Sequence, residues 1–222
     1  MSGLNMLSGW VANGDTIMME QMPMLGAYLG SVEETAISDV AATLASFVLF
    51  NCDIHLDGPI HIRWGTTTTR ETLKVAAHAC AALDKNTDLL LGNQYYTLAG
   101  PCTEMCFLET AAQAITDTAS GRELISGVAS SKGVTQDRTT GMESRIMGEV
   151  ANATTGYSIP EVNKILNSLV GLYERDLMHA PAGKRFQDCY NVKKILPTAE
   201  YINIYDKAIS TIGRCGLDVG PL

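Results

Sequence analysis

Short apolar runs alternate with amphipathic helical patterns over residues 13–156, and no other feature restricts the fold as much. Thr16–Glu20 reads as a strand. A helix follows from Ser31, with Glu34 at capping-box spacing and an apolar stripe of Ile37, Val40, Ala41, Leu44, Phe47 and Val48. Pro59–Trp64 reads as the second strand, and a threonine run caps a helix reaching Leu83. Asp88–Gly92 is the third strand, followed by a helix that Gly121 ends. Glu123–Val128 is the fourth, followed by a helix with Met142, Ile146 and Val150 on one face. Single helices between strands imply parallel pairing with right-handed crossovers.

The alternation stops at residue 157. Ser158 and Glu161 open a helix whose stripe is Val162, Ile165, Leu166, Leu169 and Tyr173. A last helix from Thr198 turns Tyr201, Ile204, Tyr205, Ala208 and Ile212 inward. The expectation is one domain over 1–222, with βα units at 13–156 and a helical tail at 157–222. The class is α/β, and two architectures fit: an open sheet or part of a (β/α)8 barrel. The 222 residues would admit a small closed barrel of roughly 200 residues, but four visible strands do not make eight.

Charge narrows the partners. The net charge of −8 argues against nucleic acid, whose phosphates need clustered Lys and Arg. No apolar run approaches the roughly 18 residues that span a bilayer, and the first residues lack the basic segment of a secretory signal. The expectation is a cytoplasmic protein without membrane or nucleic-acid partners.

Parallel α/β folds place their ligand sites at the C-terminal ends of the strands. Those ends carry Glu20, Gln21 and Pro23; Arg63, Trp64 and Gly65; Gln94, Tyr95 and Tyr96; and Ser126 and Gly127. A carboxylate closing an apolar strand is costly to bury unpaired, so Glu20 either reaches solvent or a helix N-terminus, or belongs to a site. Cys102 and Cys106 are one helical turn apart, with no second close pair and no matching histidines, so they read as buried thiols and no metal is expected. His55 and His61 read as hydrogen-bonded core or wall histidines. "GVASSKG" lacks phosphate-loop spacing.

The stretches "NCDIHLDGPIHIRWG", "LGNQYY", "AGPCTEMC", "ITDTASGRELISGVASSKGV" and "APAGKRFQDCY" resemble the monomethylamine:corrinoid methyltransferases of methanogenic archaea, from about Asn13 to Ile212. The resemblance implies a (β/α)8 barrel of which this chain is the C-terminal half, and a homo-oligomer. It implies methyl transfer from monomethylamine to the Co(I) corrinoid of a separate cognate corrinoid protein, with no cofactor bound directly by this chain. It also implies that the family's pyrrolysine, and a further site glutamate, belong to an N-terminal half preceding these residues, with an in-frame UAG upstream. The glutamate of "EQMP" and the glutamine and second tyrosine of "GNQYY" carry over to Glu20, Gln94 and Tyr96. These three are expected to converge on one rim from adjacent strands. A non-catalytic fragment or interaction partner is the alternative, and an unrelated ligand-binding α/β domain a third class.

Overall fold

The computed structural model describes residues 2–220. In chain order, α1 (Ser2–Asn13), β1 (Met18–Gln21), β2 (Met24–Leu25), α2 (Val32–Phe50), β3 (Ile54–Asp57), β4 (Ile60–His61) and α3 (Arg70–Asn86) form the first part. β5 (Leu91–Tyr96), α4 (Glu104–Ser120), β6 (Leu124–Ala129) and α5 (Gly141–Thr154) follow. The tail holds α6 (Ile159–Tyr173), α7 (Phe186–Cys189), β7 (Tyr190–Asn191), β8 (Leu196–Pro197) and α8 (Ala199–Cys215).

The main sheet is parallel, in the order β1-β3-β5-β6. The strands follow one another without reversal, so right-handed crossovers must lay every connecting helix on the same face. Side chains agree. Gln21 donates to Ser46 of α2, Leu91 packs with Cys80 and Leu83 of α3, and Asn93 donates to Asp117 of α4. The other face carries Glu20, Leu56 and Gly92 in one row of the register, and no helix of the described residues covers it. Gly92 is required there: a Cβ would fall 2.2 Å from Leu56 Cδ2.

Helix α4 anchors the interior. Residues 105–117 are all buried, between the sheet and the helices of the tail. Phe107 stacks on Tyr201 at 5.5 Å and meets Tyr205 edge-on at 5.6 Å, which fixes α8 across α4. The expected stripes of α5, α6 and α8 face this core, with Leu166 and Ile204 half-buried at its edge.

Three expectations need correction. The second strand of the sheet is Ile54–Asp57, ahead of Pro59–Trp64; Ile60–His61 pairs with β2 in a small separate ladder, and His61 bridges to Thr66. "IHLD" carries buried polar residues, which masks it in an apolar-run reading. The third strand lies later than Asp88–Gly92, so Gln94, Tyr95 and Tyr96 are in the strand rather than after it. The stripe assigned to α2 is largely on the wrong side. Ile37 is 70% exposed and Val48 81%, whereas Thr35, Asp39, Thr43 and Ser46 are buried. Only Val40 and Phe47 reach the small cluster of Cys80, Leu83 and Leu91.

Asp39 of that polar face meets a buried ion cluster. Arg122 follows the left-handed cap Gly121 and turns under the sheet. Its Nη2 donates to Asp57 at 2.7 Å, its Nε to Asp117 at 3.1 Å and its Nη1 to the Gly92 carbonyl at 2.7 Å. Asp39 approaches Asp57 from α2; burial, then the Asp57 charge, raises its carboxyl well above the ordinary range. Replacing Arg122 with leucine strands two buried carboxylates. Urea titration of Arg122→Leu is expected to show a loss of about 3–5 kcal/mol.

Candidate active site

Glu20 is the third residue of β1 and shares its row with Leu56 and Gly92. Gln94 and Tyr96 lie two and four residues beyond Gly92 on β5, on the same face, because strand side chains alternate. The strands are not adjacent: β3 runs between β1 and β5. The three side chains nevertheless meet. The Gln94 amide is oriented by its neighbours: its nitrogen donates to Glu20 Oε1 at 2.7 Å and Oε2 at 3.2 Å, and its oxygen accepts from the Tyr96 hydroxyl at 3.3 Å. The reach spans β3 where that strand has ended in Gly58, whose Cβ would stand 3.1 Å from the Gln94 carbonyl.

The electrostatics follow from partial burial. Desolvation raises the Glu20 carboxyl above its ordinary value. The Tyr96 phenol is raised by desolvation and then by the Glu20 charge. Glu20 therefore binds a proton more readily than a free carboxylate, and Tyr96 stays a neutral hydrogen-bond donor at physiological pH. The chemical capacity is a carboxylate that can bind a cation or a proton, aligned by a neutral amide–phenol pair.

Loops after β5 and β6 frame this end of the sheet. The Lys132 and Ser131 amides donate to the Thr97 and Ala99 carbonyls at 2.8 and 3.1 Å. A strap from the tail, residues 180–186, lies against both loops. The Gly100 amide donates to Pro181 O and the Lys184 amide to Pro101 O, each at 2.9 Å. A Cβ at Gly100 would fall 1.9 Å from the Ala182 carbonyl oxygen, so only glycine permits this approach. Gly133 packs on the Tyr96 ring.

Other expected rim residues divide. Gln21 turns to the helix side and bonds Ser46, Arg63 lies over Trp64 at 4.6 Å in an exposed turn, and Ser126 donates to the Asn93 carbonyl. His61 Nδ1 accepts from the Arg63 amide. His55 is buried on the helix side, not hydrogen-bonded as expected; desolvation and then Arg122 lower it to about 4. Cys106 is in the first turn of α4 and Cys102 just before it, and both are free and buried.

A sequence profile of the monomethylamine methyltransferase MtmB family matches residues 1–217. The chain belongs to the monomethylamine methyltransferase family. MtmB1 of Methanosarcina acetivorans and MtmB of Methanosarcina mazei are each 57% identical to it over 217 residues, 98% of this chain but 47% of theirs. The crystal structure of the Methanosarcina barkeri monomethylamine methyltransferase superposes with a TM-score of 0.94 at 57% identity, over 95% of this chain and 46% of that one. The chain thus spans about half the length of the curated relatives it matches. Among the described residues, no helix is long and apolar enough to cross a membrane.

Sequence reading passed over the acid that braces this rim. Glu109 of α4 is buried and accepts from Thr68 Oγ1 at 2.7 Å, the Leu98 amide at 2.5 Å and the Ala99 amide at 3.1 Å. Burial raises its carboxyl to about 7, against those three hydrogen bonds. Its signal was the polar residue amid "EMCFLETAA", on a helix that buries its whole circumference.

Two measurements test these charges. The folded chain holds the Glu109 proton between pH 4.5 and about 7, where the unfolded chain has released it, so stability falls as pH rises through that window. Glu109→Gln is expected to remove this slope. His55, lowered to about 4, works oppositely below pH 6.5, so the slope is read as wild type minus variant. Second, Glu20→Gln is expected to lower the pH at which Tyr96 ionises, followed by NMR of 13Cζ-labelled tyrosine.

Proposed function

We propose that this chain is the C-terminal half of a methylamine:corrinoid methyltransferase, and that Glu20, Gln94 and Tyr96 are its contribution to the active site. The observation that carries the reading is their convergence on the open face of the sheet, in a chain matching 47% of its relatives' length. Four parallel strands in sequential order, wound on one side only, are then four consecutive units of a (β/α)8 barrel. The N-terminal half supplies the other four and covers the open face. Residues 157–222 are the helical tail of the same domain, and the whole assembles as a homo-oligomer.

The family's pyrrolysine supplies an imine electrophile for the amine, and the corrinoid of a separate protein supplies the Co(I) that accepts the methyl group. The residues present suit a small amine. Glu20 pairs with the methylammonium cation and takes up its proton, for which its raised affinity is suited. Gln94 keeps the carboxylate aligned through both oxygens. Tyr96, neutral, gives its hydrogen to Gln94 and leaves its hydroxyl oxygen free to accept from the bound amine. The strap and loops restrict water on one side. The chain is assigned no role in holding cobalt.

The test is corrinoid methylation, followed by visible absorbance with monomethylamine, a reductant and the cognate corrinoid protein. The 222-residue chain alone is expected to be inactive, and co-expression with a pyrrolysine-containing N-terminal half to restore turnover. Glu20→Gln in that assembly is expected to lower kcat by about 10²- to 10⁴-fold. Turnover by the isolated chain would refute the half-barrel reading, and an inactive assembly would refute the reaction.

A further inference from the structure

Tyr96 stands where the sheet runs out. β3 ends at Asp57, which pairs with Asn93, so β3 offers no ladder partner to Tyr96. The threonine run takes that place. The Thr67 amide donates to the Tyr96 carbonyl at 3.1 Å, and the Tyr96 amide donates to Thr67 Oγ1 at 3.1 Å. Thr66 Oγ1 donates to the same carbonyl. The Thr67 hydroxyl has one hydrogen. It accepts from the Tyr96 amide and gives that hydrogen to its second partner, Gln113 Oε1 of α4. The Gln113 nitrogen has no protein partner in that pose. Thr66, Thr67 and Gln113 are all fully buried, so water cannot substitute for a missing bond.

We propose that Thr67 is a positioning residue of this site: through a Gln113–Thr67–Tyr96 relay it ties the end of β5 to α4 and holds the Tyr96 phenol in reach of Gln94 and Glu20. The inference rests on the reading of Tyr96 as a site residue. A helix cap explains Thr69, whose hydroxyl accepts from the Thr72 amide, but not Thr67, whose hydroxyl points away from α3. Valine has the shape of threonine without the hydroxyl. At position 67 it would leave the Tyr96 amide and Gln113 Oε1 unpaired together. Serine keeps both bonds.

The experiment uses the intact chain labelled with 13Cζ-tyrosine, with Tyr96→Phe to assign the resonance. Thr67→Val is expected to move the Tyr96 resonance and lower its ionisation midpoint, as the phenol leaves Glu20. Thr67→Ser is expected to restore both. Thr110→Val, equally buried in α4 but bonded only to the Cys106 carbonyl, should move neither. If Thr67→Val loses its cooperative melt, Gln113→Met, which removes only the acceptor, is judged by the same resonance. An unmoved Tyr96 signal in the folded variant overturns the inference, whatever the activity. In the assembled barrel, Thr67→Val is expected to lower kcat about tenfold or more while KM changes little, since misplacement of a catalytic group acts on the chemical step. A displaced Tyr96 with unchanged turnover leaves the relay standing and refutes the catalytic reading of Tyr96 instead.

Discussion

The Arg122 guanidinium, buried between Asp57 and Asp117, is the interaction on which the rest of this structure depends. It joins β3, β5 and the end of α4 through three separate groups. Burial raises Asp117 to about 6 despite the pull of Arg122 and the Asn93 amide. The cluster is therefore held together against a desolvation cost, and each member is stable only while the others are present. Of the polar residues that α2 turns inward, Asp39 faces this cluster, whereas Ser46 bonds Gln21 and the Ala42 carbonyl.

Each end of the strands has its own use. Beneath the sheet lie charge and helix packing. At the C-terminal ends, loops from β5 and β6 and the strap from the tail are stitched backbone to backbone. Glu109 carries the link between them: its carboxylate gathers the Thr68 hydroxyl and the Leu98 and Ala99 amides. Tyr173 of α6 adds a bond to the Thr68 carbonyl at 2.6 Å. The tail helices thus reach the threonine run and, through it, the edge of the site. Residues distant in sequence hold Tyr96 and, through Gln94, Glu20 as well.

How far the sequence could be read depended on which residues did the burying. α5, α6 and α8 bury apolar side chains at helical spacing, and their caps are local, so periodicity found them; α4, buried all round, was marked by its end at Gly121. Glu20 was visible as a carboxylate closing a strand, and Gln94 and Tyr96 as polar residues after an apolar run. Pattern reading failed at "IHLD" and on α2, because both bury polar residues whose partners lie far away in the chain. It misplaced the start of β5 because Leu89 and Leu90 are apolar enough to imitate a strand. The strand begins at Leu91, whose amide is held by Glu123, with the Leu90 carbonyl accepting from the His55 amide just ahead of it.

The sequence by itself determined the βα alternation, the helix ends and the residue types available at the strand ends. These follow from local sterics, capping and the repeat of apolar side chains, which act over a few residues. Only the tertiary structure decided that β3 would lie between β1 and β5, that Glu20 would nonetheless meet Gln94 across it, and that two threonines, Thr66 and Thr67, would replace a missing ladder. Those outcomes depend on pairing register and on where buried charges find partners. No local pattern encodes them, because the partners are brought together only when the chain closes.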